Sequence, residues 1–294
     1  VDRRGAFKGD PTVATIVVVI AALLAIFIFY PVGKVLAAAL FDAKGQIAPA
    51  LAVDRLIATD VWGLGCFGGG TNCGVAINSA VLATVVGLGS TLIGLVLALV
   101  VQRGGRRYAG IAKVMSILPI VTPPFVIALA LVVLFGRTGL VTGWLDAWFG
   151  IGRSRWLYGL PGVSIAQLLT FSPIAFMLLH GALGAISPAL EEAAQTLRAS
   201  RWRVFRTVTL PLLRPALANA FLLGFVESLA DFGNPIVLAG NYEVLSTKIF
   251  FAVAGAQHDP GRAAALAVVL LGLTMVAFWL QQRWIGKLSY VTVT

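Results

Sequence analysis

The order of apolar and polar stretches divides this chain into six long apolar segments joined by polar loops. A helix rises about 1.5 Å per residue, so about 20 apolar residues are enough to cross a lipid bilayer. We predict membrane-spanning helices near residues 11–38, 76–101, 112–135, 161–186, 215–238 and 262–282. The predicted fold class is therefore an all-α membrane protein, with a single transmembrane domain over residues 1–294.

A polar stretch at residues 187–214 separates the fourth and fifth apolar segments, and its composition favours two short helices with a break between them. Glu191 and Glu192 stand in the first turn of the first helix, where the helix dipole favours acids. Trp202 and Phe205 fall near one face of the second helix. The stretch also carries five arginines: Arg198, Arg201, Arg203, Arg206 and Arg214. Because arginines collect in cytoplasmic loops, an ordinary positive-inside loop is an alternative interpretation.

The composition places the chain in a lipid bilayer rather than in water. Of its 294 residues, 59% are hydrophobic and 12% are charged, and the mean hydropathy is +0.93, whereas soluble domains carry roughly 25% charged residues. The net charge of +10 does not predict a nucleic-acid partner, because topology divides the basic residues between two sides. Most of the 22 Lys and Arg residues fall on the same side as residues 187–214, which predicts that both termini are cytoplasmic.

Cys66 and Cys73 lie in one glycine-rich loop between the first two predicted spans. If that loop is periplasmic, the pair is predicted to form a disulfide; two free thiols are the alternative. No histidine or further cysteine stands at zinc spacing, so no metal site is predicted. His180 and His258 fall on opposite sides of the predicted membrane, and the chain lacks the Gly-Lys-Ser/Thr of a phosphate-binding loop. We therefore predict that this chain is not an enzyme and does not itself hydrolyse ATP.

Glu192-Ala193-Ala194, followed at a fixed spacing by Leu210-Pro211, resembles the EAA loop of ATP-binding-cassette (ABC) importer permeases. The stretches 118–124 and 227–235 are similar to the permeases of ferric-iron uptake systems, and the whole chain to the N-terminal half of those that fuse two six-helix halves. The resemblance implies the type I ABC importer permease fold, with a cytoplasmic coupling-helix loop at 187–214. The coupling residues that it implies are Glu191, Glu192, Ala193, Ala194, Arg198, Trp202, Phe205, Leu210 and Pro211.

Arg198 departs from the family pattern, because glycine usually holds this slot of the loop. Glycine would permit a positive-φ turn between the two helices, which arginine adopts only at a cost. We therefore expect either a turn of a different kind or a loop that docks less well than those of its relatives.

The resemblance also implies partners: a cytoplasmic ABC ATPase dimer that binds ATP and Mg, a periplasmic substrate-binding protein, and a second permease half or subunit. This chain would bind no cofactor of its own and would lie in the bilayer of the bacterial inner membrane. The implied solute is ferric iron; thiamine, polyamines, sulfate and phosphonates are alternatives, because their permeases share the loop. The competing class is a secondary transporter, in which Glu227 and Asp231 would serve ion coupling.

Glu227 and Asp231 stand four residues apart in the fifth predicted span, so a helix would place them on one face. A charge at bilayer depth costs at least about 2.5–3.5 kcal/mol, so such residues usually face a cavity or a partner. We predict that both line the translocation route, with Asn234 at its outer mouth; simple solvation near the outer interface is the alternative for Asp231. Pro123 and Pro124 interrupt the third span, which predicts either a wall of the same route or a structural kink.

Overall fold

The computed structural model describes residues 11–285, except 42–45, 69–72, 105–109, 112, 115, 117, 118, 120, 121, 153 and 257. Its principal helices are α1 (Pro11–Leu24), α2 (Tyr30–Ala38), α3 (Pro49–Ile57), α4 (Thr59–Trp62), α5 (Val75–Arg103), α6 (Pro124–Phe135), α7 (Leu140–Phe149), α8 (Leu160–Gly184), α9 (Pro188–Thr196), α10 (Arg201–Val204), α11 (Leu210–Ala230), α12 (Gly233–Leu238), α13 (Leu245–Ala254) and α14 (Pro260–Ile285). Residues 1–10 and parts of the predicted third span lie outside the described residues.

Among the described residues, six helical segments are long and apolar enough to cross a membrane: Thr12–Ala38, Val75–Arg103, Pro124–Phe149, Leu160–Gly184, Arg201–Ala230 and Pro260–Trp284. The predicted fold class, an all-α membrane protein with six spans, is confirmed. Within the described ranges, the β pairing consists of one isolated bridge between Phe41 and Ile47.

The fifth segment begins and ends earlier than its predicted bounds of 215–238. The structure has one continuous helical segment, Arg201–Ala230, which we call the rod. A π turn at Phe205–Thr209 joins its first turn to α11, and local π adjustments let membrane helices absorb prolines such as Pro211. The second half of the polar loop is therefore not a separate short helix. The rod ends at Ala230 because the next residue, Asp231, adopts an extended conformation with φ −70° and ψ 119°.

The third predicted span, 112–135, is interrupted before Pro124: the described residues 110, 111, 113, 114 and 116 are helical, whereas residues 122 and 123 are not. The next α-helix starts at Pro124 and runs to Phe135, where the predicted span also ends. Proline is well suited to the first position of a helix, because its missing N–H would have no partner there. Pro123 and Pro124 therefore mark a helix start, and α7 extends the segment to Phe149.

The centre of the fold is the packing of α5 against α8 and the rod. Glycines bring these helices close together. A Cβ at Gly94 would lie 2.7 Å from the backbone nitrogen of Phe176 in α8, and one at Gly224 would lie 2.6 Å from Ser90 Oγ in α5. Small residues are common at such interfaces because lipid tails are as apolar as the side chains, so close van der Waals contact drives helix association.

Helix α5 connects the two ends of the molecule. Its last residue, Arg103, forms an ion pair with Glu191 of the polar loop, and its first residue, Val75, lies two residues after Cys73. With 29 residues it is about 44 Å long. We call the Arg103 end the coupling end and the other the far end. At the far end Cys66 and Cys73 form a disulfide, with their Cα atoms 4.9 Å apart.

Hydrogen bonds between α5 and the loop before α13 hold the far end together. The side-chain amide of Asn78 donates to the carbonyl oxygens of Glu243 at 3.0 Å and Cys73 at 3.2 Å. The Tyr242 hydroxyl donates to the carbonyl oxygen of Asn78 at 2.8 Å. Burial raises the pKa of Tyr242 to about 12, so this hydroxyl keeps its proton, and the hydrogen bond, at neutral pH.

Candidate functional site

The polar loop at the coupling end turns sharply between α9 and the rod. Ser200 begins the rod, and its Oγ accepts a hydrogen bond from the backbone N–H of Arg203 at 3.4 Å. Between the two helices Arg198 has a φ of 58°, which is the left-handed conformation. The arginine thus adopts the turn that a glycine would permit, rather than a turn of a different kind.

One face of this loop exposes large apolar side chains. Leu197 is 84% exposed and Trp202 is 69% exposed, and the Trp202 ring stacks on Phe205 with the centroids 5.6 Å apart. Glu192 and Ala193 lie on the neighbouring helix α9. We call these five residues the docking face. Exposed apolar patches rimmed by polar residues are typical of protein–protein contacts, so this face is suited to a partner.

Three other predicted coupling residues have inward positions. Leu210 and Pro211 are half-buried within the rod. Glu191 points toward its own chain: its carboxylate pairs with the Arg103 guanidinium and accepts from Thr209 Oγ1 at 2.8 Å. These contacts fasten α9 to both α5 and the rod, so Glu191 holds the loop in place.

Arg103 and Thr209 belong to this site, although neither was predicted from the sequence. Arg103 Nη2 also donates to Thr209 Oγ1, at 3.1 Å, and Thr209 is fully buried. A signal was present in the sequence, since Arg103 is the first charge after a long apolar segment. Its partner, Glu191, lies 88 residues further along the chain, and sequence spacing does not predict contacts at such a distance.

A second polar cluster lies near the far end, where the rod stops. The Asp231 carboxylate accepts four hydrogen bonds. Oδ1 accepts from the backbone N–H groups of Gly233 at 2.9 Å and Asn234 at 3.3 Å. Oδ2 accepts from Gln167 Nε2 at 2.9 Å and from Asn234 Nδ2 at 2.8 Å. Asp231 thereby joins α8, the rod and the first turn of α12.

Gln167 connects the same cluster to the rod. It is fully buried in α8, and its Oε1 accepts from Ser228 Oγ at 2.6 Å. Asn234 is also fully buried, and its Nδ2 lies 3.5 Å from Thr170 Oγ1. The sequence showed Gln167 as a polar residue in an apolar span but did not predict its contact with Asp231. The predicted route residue Asn234 is thus an interior residue of this cluster.

Glu227 and Asp231 have different surroundings. Asp231 lies beyond the last helical residue, so the predicted shared helix face is not formed. Glu227 is half-buried on the last turn of the rod, and within the described part of the chain no hydrogen bond or ion pair of its carboxylate is seen. The start of α6, at Pro124 directly after Pro123, lies beside the break: a Cβ at Gly233 would be 3.5 Å from the Phe125 backbone nitrogen.

Among the described residues, no three His, Cys, Asp or Glu side chains come together in a way that could hold a metal ion. The groups of the far-end cluster that could serve as metal ligands are amides, hydroxyls and one carboxylate. The oxygen atoms of that carboxylate already accept hydrogen bonds. The cluster is therefore suited to holding helices together rather than to binding an ion tightly.

Residues 90–289 match the sequence model of a family described as the inner membrane component of binding-protein-dependent transport systems. This chain belongs to that family. The permease is 44% identical over 98% of its length to the ferric transport system permease protein FbpB of Actinobacillus pleuropneumoniae, and 42% identical over 98% to the putative FbpB 1 of Haemophilus influenzae. It spans only 40% and 44% of the lengths of these two relatives.

A solved structure confirms the fold of the permease. The bacterial alginate ABC transporter, crystallised in complex with an alginate-bound periplasmic protein, contains a chain that superposes with a TM-score of 0.76. The superposition covers 96% of both chains at 17% sequence identity. At that identity the likeness concerns the fold alone, which is the predicted fold of type I ABC importer permeases.

Replacing Arg198 with glycine is expected to leave the stability of the permease unchanged or to raise it by up to about 1 kcal/mol. The left-handed conformation costs a residue with a Cβ roughly 1–2 kcal/mol, while glycine's greater freedom in the unfolded chain offsets roughly 0.4–1 kcal/mol of that gain. Thermal unfolding of the purified permease measures the difference. Arg201→Gly is the matched control and should destabilise, because Arg201 has a helical conformation in which glycine costs about 1 kcal/mol. A clear loss of stability in Arg198→Gly would contradict the strain argument.

Proposed function

We propose that this permease is one transmembrane half of an ATP-driven importer for ferric iron in the bacterial inner membrane. Its partners are a cytoplasmic ABC ATPase dimer, which binds ATP and Mg, a periplasmic binding protein that delivers the solute, and a second permease half. The observation that carries this proposal is the docking face, an apolar surface that the described part of the chain leaves exposed at the end of a membrane-spanning rod. The identity of 44% with a ferric permease over nearly the whole chain favours iron as the solute.

The orientation follows from the two ends of α5. The disulfide between Cys66 and Cys73 lies at the far end, and disulfides persist in the oxidising periplasm rather than in the cytoplasm. The coupling end carries the arginines of the polar loop, which favour the cytoplasmic side. In this orientation the docking face meets the ATPase, and both termini are cytoplasmic.

Glu227 is the carboxylate that we assign to the translocation route. It is half-buried on the rod, where a charge is costly unless it faces a water-filled path. A carboxylate there attracts a trivalent cation without the several ligands that would trap it. The prolines at the start of α6 lie close to the break after the rod, so Pro123 and Pro124 are suited to form a wall of the route.

The proposal predicts that uptake of radiolabelled ferric iron depends on the full-length permease gene. In a strain that lacks the gene, uptake should fall to background, and a plasmid copy should restore it. Sulfate and thiamine uptake, measured in the same strains, tests the alternative solutes. If one of them depends on the gene and iron does not, the assignment to iron is wrong.

The energy source for uptake distinguishes an ABC importer from a secondary transporter. In proteoliposomes with the complete complex, uptake should require ATP on the side of the ATPase and should persist when an uncoupler has collapsed the ion gradients. Uptake that needs an ion gradient but no ATP would instead support the competing class.

A further inference from the structure

We infer that Asp231 is a positioning residue that fastens the far end of the rod to α8 and α12, so that movement begun at the docking face reaches the far half of the permease. The inference rests on the proposed function, because it assumes an ATPase at the docking face. It gives Asp231 and Asn234 a role different from the predicted one of lining the route.

The Asp231 side chain has no acceptor position left. A carboxylate has about four lone-pair sites, and four donors occupy them at 2.8–3.3 Å. All four donors are neutral amides, so the negative charge is held by hydrogen bonds instead of a cation. A passing cation would have to displace these bonds to reach the carboxylate. Glu227 has no such partners among the described residues, which is why the two acids take different roles.

The rod connects the docking face to Asp231 without a break. Arg201–Ala230 is one helical segment of 30 residues, about 45 Å long. Trp202 of the docking face lies at one end, and Asp231 follows the other directly. A helix of this length transmits a push or a rotation only as well as its far end is attached. Asp231 is the attachment to α8, through Gln167, and to α12, through Asn234.

Two further contacts converge on the same end of the rod. Ser246 Oγ of α13 donates to the backbone carbonyl of Asp231 at 2.8 Å. Phe232, the next residue, stacks on Phe250 of α13 with ring centroids 5.5 Å apart. The end of the rod is therefore connected to α8, α12 and α13 within a few residues, and a movement of the rod would be shared by all three.

The test exchanges the amide and the carboxylate. In Asp231→Asn, an amide replaces one acceptor oxygen and its N–H groups face those of Gln167. The added substitution Gln167→Glu restores a carboxylate to the pair, which accepts from the new amide and still accepts from Ser228. The amide of Asn234 can rotate to follow, because its Oδ1 is buried without a hydrogen-bond partner among the described groups. The exchange thus preserves the connection between positions 167 and 231 while moving the charge to a fully buried position; it gives up only the 3.4 Å hydrogen bond from Gln167 Nε2 to the Ser228 carbonyl oxygen.

The measurement is the stimulation of ATPase activity by the loaded binding protein, relative to basal activity, in the full-length complex in lipid nanodiscs. We expect Asp231→Asn to reduce the stimulation about tenfold or more, since hydrogen bonds to a charged group are among the stronger ones, and the double variant to return within about threefold of wild type. Asp54→Asn, the same change at a position of α3 outside the cluster, should have no effect.

Full stimulation in Asp231→Asn, or a double variant no better than the single one, would overturn the inference. If Asp231→Asn fails to assemble, the comparison becomes Gln167→Glu alone against the double variant: the single change opposes two carboxylates, and adding Asp231→Asn should restore stimulation. Failure of the proposed function gives a different result, because the wild-type complex would then show no stimulation by the ferric-loaded protein.

Discussion

Replacing Trp202 with alanine is expected to abolish ATP-driven uptake while the membrane domain stays folded. Trp202 is 69% exposed and stacks on Phe205 of its own helical segment, so its loss removes little internal packing. A tryptophan at the centre of an interface commonly contributes about 2 kcal/mol or more to binding. Association with the ATPase should therefore weaken about thirtyfold or more.

Co-purification of the ATPase and uptake by whole cells measure this prediction. Trp148→Ala is the matched control, since Trp148 is 83% exposed on α7, away from the docking face, and its loss should leave association unchanged. Glu192→Lys, which reverses a charge on the same face, should also uncouple transport. Normal uptake in Trp202→Ala with an intact complex would place the ATPase contact elsewhere.

The existence and number of the spans could be predicted because an apolar window of about 20 residues, in a chain this hydrophobic, nearly always forms a spanning helix. The first and last residues of the spans were harder to predict. The fifth span was predicted to begin at residue 215, but the π turn at Phe205–Thr209 joins the helical residues before it to the helix that follows. Where the helix stops depends on Asp231, whose conformation is set by donors on two neighbouring elements. Tertiary contacts thus decided both ends of the rod.

The candidate site, too, could be predicted only in part from the sequence. The motif Glu192-Ala193-Ala194 located the coupling loop, and the structure places Trp202 on its exposed face. The predicted coupling residues also included Glu191, directly before this motif, which pairs inward with Arg103. Residues within one helical turn point in different directions, so the sequence did not separate this anchoring residue from the exposed ones. Only the packing of α9 on α5 separates them.

The two acids near the end of the rod show the same limit. A spacing of four suggested a shared face, but helix geometry applies only as far as the helix continues, and here it ends at Ala230. The interior role of Asp231 depends on Gln167, which lies 64 residues earlier in the sequence. A lone polar residue in an apolar span indicates that a partner exists, and the identity of that partner comes from the fold.

Replacing Glu227 with glutamine is expected to lower the initial rate of ferric uptake about tenfold or more. The carboxylate is half-buried on the rod, and at an effective dielectric constant of about 20 a pair of unit charges about 4 Å apart interacts by about 4 kcal/mol. Losing part of that attraction for a trivalent cation raises the barrier to its passage, and a tenfold change corresponds to about 1.4 kcal/mol. Glutamine keeps the size of the side chain, so expression and assembly of the complex should match wild type.

Uptake of radiolabelled ferric iron at matched expression measures the effect of Glu227→Gln. Glu243→Gln is the control, because Glu243 is exposed at the far end and pairs with Lys248 at 2.8 Å; its neutralisation should change uptake little. The contrast tests position rather than charge, since both variants remove one carboxylate from the same chain. Wild-type uptake in Glu227→Gln would show that the route runs elsewhere, and equal losses in both variants would point to a general effect of negative charge on attracting the cation.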